Sequence, residues 1–97
     1  MNVELSARAH GEMQRIDASW RTQADLPELF LDELLETVKL IETTGVLGVP
    51  YKVRVKRRVT RLLMAKSGYH MYLVRPSDEL VVVVSIWSAR RRRGPKV

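Results

Sequence analysis

The sequence predicts an α+β fold, with an N-terminal strand and an antiparallel helical hairpin packed on a twisted, mostly antiparallel β-sheet. Three observations predict it. Before residue 45, apolar side chains recur every three or four positions, the period of a helix with one buried face. After residue 50 the pattern changes to alternation and to β-branched runs. Short groups of turn-forming residues separate the runs, and no linker-like stretch or internal repeat interrupts them.

Val3 and Leu5 alternate with Asn2 and Glu4 and read as a short opening strand. Ser6 can cap the helix that follows. In that helix Ala9, Met13, Ile16 and Trp20 form one stripe, with Arg8, Glu12, Arg15 and Asp17 assigned largely outside it. Arg21 to Ala24 allows a turn, and Asp25 and Glu28 flank Pro27 in a helix-start pattern. The second helix is expected from about Leu26 to Thr43. Leu26, Phe30, Leu34, Val38 and Ile41 form its ridge, and Gly45 suits the left-handed position after its end.

Tyr51 to Lys56 alternates, with Tyr51, Val53 and Val55 opposite Lys52, Arg54 and Lys56. Such a strand buries one face and presents a row of cations on the other. Val59 to Met64 is a further strand, and Ala65 to Gly68 turns into Tyr69–Val74. Arg75 to Glu79 has turn chemistry and leads to Leu80–Trp87. That last run is almost wholly apolar, so it belongs in the middle of the sheet with both faces covered.

At 97 residues the chain is expected to be one domain, spanning 1–97. No stretch of about 18 uncharged apolar residues is present, and the first residues lack the pattern of a signal peptide. A cytoplasmic location without membrane attachment is therefore expected. No cysteine is present, which excludes disulfides and thiolate chemistry, and the two histidines lie far apart in sequence. No cofactor and no metal are expected.

The net charge is +6, but it is unevenly placed. Residues 1–49 carry four basic and nine acidic side chains, and residues 50–97 carry thirteen basic and two acidic ones. The second half calls for an anionic partner, a nucleic acid or an acidic protein segment. Arg90, Arg91, Arg92 and Arg93 are its densest part, beside Trp87, and are the leading partner-contact candidates. The plain alternative is a solvating tail, since 90–97 has the composition of a segment that is disordered in the free protein.

The order of elements resembles the RelE/ParE superfamily of toxins from type II toxin–antitoxin systems. The likeness rests on Phe30-Leu31-Asp32-Glu33-Leu34, Gly45-Val46-Leu47-Gly48, Ser67-Gly68-Tyr69-His70-Met71-Tyr72, and Val82-Val83-Val84 leading to Trp87 and Arg90. It implies a helical hairpin on a twisted sheet, and a cognate antitoxin that folds a segment over the toxin in a hetero-oligomer. On this chain the antitoxin would cover Leu26, Phe30, Leu34 and Val38 with Arg54 and Arg61.

The superfamily divides by mechanism. RelE-like members cut mRNA on the ribosome with basic side chains and often a late tyrosine or histidine. ParE-like members are not known as enzymes and inhibit DNA gyrase. The cleavage pattern would carry over to His70, Arg61, Arg90, Lys52 and Arg54, but no tyrosine follows Arg90. The Trp87-x-x-Arg90-Arg91 ending and His70 look more like the ParE side. For His70 the competing reading is a strand histidine hydrogen-bonded for structure. Tyr69 and Trp87 read first as core residues rather than as base-stacking platforms. A ParE-like gyrase inhibitor is the favoured reading. The alternatives are a ribosome-dependent mRNA endonuclease, and a non-toxic homologue that binds antitoxin or nucleic acid.

Overall fold

The computed structural model describes residues 1–23, 25–54 and 57–97, apart from the side chains of 52–54 and 57. The order is β1 (Asn2–Leu5), α1 (Ala7–Gln23), α2 (Leu29–Thr44), β2 (Val49–Arg54), β3 (Arg57–Met64), β4 (Tyr69–Ser77) and β5 (Leu80–Ser88). The strands form one sheet in the order β1-β5-β4-β3-β2. β1 runs parallel to β5, and the other pairings are antiparallel. This is the α+β arrangement expected from the sequence. The β5 run lies inside the sheet, between β1 and β4.

Local chemistry sets the boundaries. The Ser6 hydroxyl accepts the Ala9 N–H at 3.1 Å, closing the first turn of α1. α2 starts at Leu29, three residues later than the pattern suggested. A proline disfavours helical backbone in the residue before it, so Leu26 stays outside, and its carbonyl accepts the Leu29 N–H in a turn. Gly45 ends α2 at φ 71°, donating its N–H to the Ile41 carbonyl. The β4–β5 turn is also tighter than expected, because both strands extend to leave only Asp78 and Glu79 between them. The register shifts between Val74 and Ser77, so Pro76 sits where a missing N–H breaks no regular ladder.

The helices cover one face of the sheet. Ala9, Phe30, Leu34 and Ile41 pack there with Met64, Met71, Leu73, Val81, Val83 and Ile86. The helix-free face has its own smaller core of Val59, Tyr72 and Val84, with Tyr51, Val74, Val82, Trp87 and Val97 against it. Pro95 is buried and Val97 packs on this smaller core, so residues 94–97 serve as its cover. Among the described residues, no helix is long and apolar enough to cross a membrane.

Candidate functional site

The helix-free face gathers the titratable and aromatic side chains of the central strands. Arg61 on β3 lies directly across from Tyr72 on β4, and His70 on β4 lies between Leu63 and Trp87. The His70 ring is 6.2 Å from that of Tyr72, and the Tyr72 ring meets Tyr51 edge-on at 4.7 Å. The register shifts between Pro50 and Lys52, at Tyr51. A bulge of this kind re-aims a side chain, and here Tyr51 reaches the second core. The Arg61 guanidinium stands 5.8 Å from the centre of the Tyr51 ring.

Burial and then the Arg61 charge hold the His70 imidazole below its ordinary pKa, which favours its neutral form. Burial and the neighbouring Tyr51 raise Tyr72, against the opposing pull of the Arg61 hydrogen bond and charge. His70, Arg61, Tyr72 and Tyr51 thus form one compact group.

The C-terminal segment lies over part of this group. Pro95 is almost fully buried, and the Tyr51 hydroxyl donates to its carbonyl at 3.4 Å. Arg8 of α1 donates from Nη1 to the Lys96 carbonyl at 2.7 Å. Tyr72 keeps only 2% of its surface exposed. A substrate approaching the face from solvent meets residues 94–97 before Tyr72.

Between this cover and the end of β5, Arg90, Arg91, Arg92 and Arg93 are all exposed. Arg90 donates its backbone N–H to the Ser88 hydroxyl, and Arg91 donates its backbone N–H to the Ser88 carbonyl. The Arg91 guanidinium lies over the Trp87 ring, 4.8 Å from its centre. Trp87 is a support as well as a surface, since its indole N–H donates to Glu12 at 2.9 Å.

Arg90 begins the exposed arch of residues 90–93, and among the described residues its hydrogen bond is to Ser88 and not to the His70 group. The side chains of Lys52 and Arg54 lie outside the described residues. Of the α2 ridge, Phe30 and Leu34 are fully buried in the main core, and Val38 is half-buried against it. The apolar surface left on that side is Leu26, Leu35 and Leu40, exposed at 63%, 59% and 46%.

Two carboxylates missed as structural groups tie the helices to the sheet and its turns. Glu12 accepts from the Ser85 hydroxyl, the Ile86 N–H and the Trp87 indole, with Arg8 at 3.8 Å. Glu33 accepts from the N–H groups of Lys66 and Ser67 and from the Ser67 hydroxyl, fixing the β3–β4 turn. The signal was present in the sequence. Glu12 falls three residues after Ala9 and four before Ile16, and Glu33 three after Phe30. Both therefore share the inward faces of their helices.

Compared with known proteins, this fold is similar to a chain of a solved structure described as "Chromosomal ParDE TA system from P. aeruginosa". The TM-score is 0.74 at 14% sequence identity, and the match covers 93% of this chain and 97% of that one. At this identity the likeness is one of fold. No family model and no curated protein matches the sequence.

Proposed function

We propose that the chain is a ParE-like toxin of a type II toxin–antitoxin system, acting on DNA gyrase by binding and held in check by an acidic cognate antitoxin. The observation that carries this reading is the course of the C-terminal segment. It puts Pro95 and Val97 over Tyr51 and Tyr72, and leaves Arg90 to Arg93 exposed. The cover closes Tyr72 to a phosphodiester and leaves His70 half-exposed; cleavage of RNA needs its proton-transfer groups open together, whereas binding needs only a presented surface. The likeness to a ParDE structure supports the same side of the superfamily. The antitoxin's apolar contacts fall on exposed Leu26, Leu35 and Leu40, because Phe30 and Leu34 are spent on the sheet. The complex would be a cytoplasmic hetero-oligomer.

A second reading has one observation in its favour. His70, half-exposed and with its neutral form favoured, shares a face with Arg61 and Tyr72, a set that could serve ribosome-dependent mRNA cleavage. Pulse labelling of DNA and protein synthesis, minutes after induction of this chain alone, separates the readings. Early loss of DNA synthesis with continuing translation is expected. Early loss of translation would favour the nuclease, and no effect of accumulated protein would favour a non-toxic binding module.

A further inference from the structure

A cleft of about 440 Å³ opens between α1 and the end of β5, beside the exposed Arg90–Arg93 segment. Its apolar walls include Ile16, Ile86 and the Trp87 indole, and Arg15 and Arg91 stand at its rim. The polar groups around it are mostly committed in one direction. Glu12 is its one carboxylate, already accepting three hydrogen bonds with Arg8 nearby. The Tyr69 hydroxyl accepts from Trp20, and the Ser88 hydroxyl accepts from the Arg90 N–H. Both keep their own protons to donate. Among the described residues, neither Arg15 nor Arg91 has a carboxylate within salt-bridge distance.

The cleft therefore has unused donors, and both oxygens of its carboxylate are already engaged, with Arg8 offsetting its charge. Such a site favours an oxyanion, and guanidinium groups bind oxyanions most strongly where two bonds can form side by side. Two unpaired guanidinium charges match a phosphate monoester, which carries about −1.5 to −2 at neutral pH, better than a single carboxylate. The apolar walls and the volume leave room for an organic body beyond the phosphate.

We infer that the α1–β5 cleft is a binding site for a phosphate monoester on an apolar or aromatic body, held by Arg15 and Arg91 with the Tyr69 and Ser88 hydroxyls. The inference is independent of the toxin reading, because it rests on the donor balance of one cleft. The monoester can come from a small metabolite or from a phosphorylated side chain of a partner, and the two share this chemistry.

The test is titration of the full chain with phenyl phosphate, following the Trp87 indole N–H by NMR. A saturable shift is expected, with benzoate, which has the same ring and half the charge, weaker by about tenfold. Arg15→Gln and Arg91→Gln should each weaken binding by about tenfold, while Arg92→Gln and Arg93→Gln stay within about twofold of the parent. An unchanged Trp20 indole signal checks that each variant is folded. Adenosine monophosphate and an acetylated phosphotyrosine amide then separate the two sources by which binds tighter. No saturable shift, equal affinity for benzoate, or equal losses in all four arginine variants would overturn the assignment, the last by showing a general attraction to positive charge.

Discussion

Gly94→Ala tests whether the C-terminal segment closes on the sheet. A Cβ at position 94 would press on the Tyr51 hydroxyl, 2.5 Å from Cζ and 2.9 Å from Cε1. Gly94 does not have positive φ, so the substitution adds a contact and no backbone strain. Either Tyr51 yields or the segment lifts. If the ring moves, its edge-on contact with Tyr72 is lost, worth about 0.5–1.5 kcal/mol beyond its buried area. Its bond to the Pro95 carbonyl goes too, a net contribution of about 0.5–1.5 kcal/mol. If the segment lifts, buried Pro95 and partly buried Val97 leave the second core, and exposing Val97 costs part of the about 1.5–3 kcal/mol that a fully buried valine would. Alanine stiffens the unfolded chain and returns about 0.4–1 kcal/mol. The net expectation is a loss of about 1–2 kcal/mol.

Urea unfolding should show this as a lower midpoint with an unchanged slope. The decisive comparison is the same change in a Tyr51→Leu background, where the shorter side chain leaves room for the methyl group. There the cost of Gly94→Ala should fall by about 1 kcal/mol or more. Equal costs in the two backgrounds, within about 0.3 kcal/mol, would refute the packing of residue 94 on Tyr51.

Three further outcomes follow from the geometry. Glu12→Ala strands the Ser85 hydroxyl, the Ile86 N–H and the Trp87 indole and should cost about 3 kcal/mol in chemical denaturation, with faster exchange of the Trp87 indole proton. Glu33→Ala should cost about 2 kcal/mol by releasing the 66–67 turn, whereas Glu36→Ala, which breaks only an exposed pair with Lys66, should change stability by less than about 0.5 kcal/mol. His70 has a folded pKa below its unfolded value, so the unfolded chain binds the proton more readily. Its contribution is full above the unfolded pKa and declines as pH falls through it toward the folded pKa; stability measured from pH 7.5 to 5 should lose that component in His70→Gln, and Arg61→Gln should raise the His70 pKa by NMR.

Much of the fold was legible because single residues carry sharp local rules. Ser6 caps, Gly45 takes the left-handed position, and the unbroken Leu80–Trp87 run requires two covered faces. Glu12 and Glu33 were harder to read because charge and position gave opposite signals. Periodicity turns both inward, while a carboxylate is normally assigned to solvent unless its partners are known. Those partners, Ser85 to Trp87 and Lys66–Ser67, lie far along the chain and supply donors that no local pattern reveals. The same holds for the C-terminal segment. Gly94 and Pro95 read locally as breakers, and their contacts are with Tyr51 and, at Lys96, with Arg8.

These distant contacts answer a problem set by β1. Its pairing with β5 ends at Leu5 and Val83, which would leave the rest of β5 with an open edge. Ser6 and α1 complete that edge with side chains. Ser6 donates its hydroxyl to the Val84 carbonyl, and Glu12 accepts the Ile86 N–H. The carboxylate that finishes the edge also holds the Trp87 indole, and Trp87 supports Arg91. Arg8, one helical turn before Glu12, reaches the Lys96 carbonyl on the far side of the arch. Both ends of the Arg90–Arg93 segment are thus tied to the same two turns of α1. A segment fixed at both ends loses less conformational entropy when a partner binds it than a free basic tail would. The acidic first half of the chain therefore acts on the basic second half through two side chains that fix where its charge is displayed.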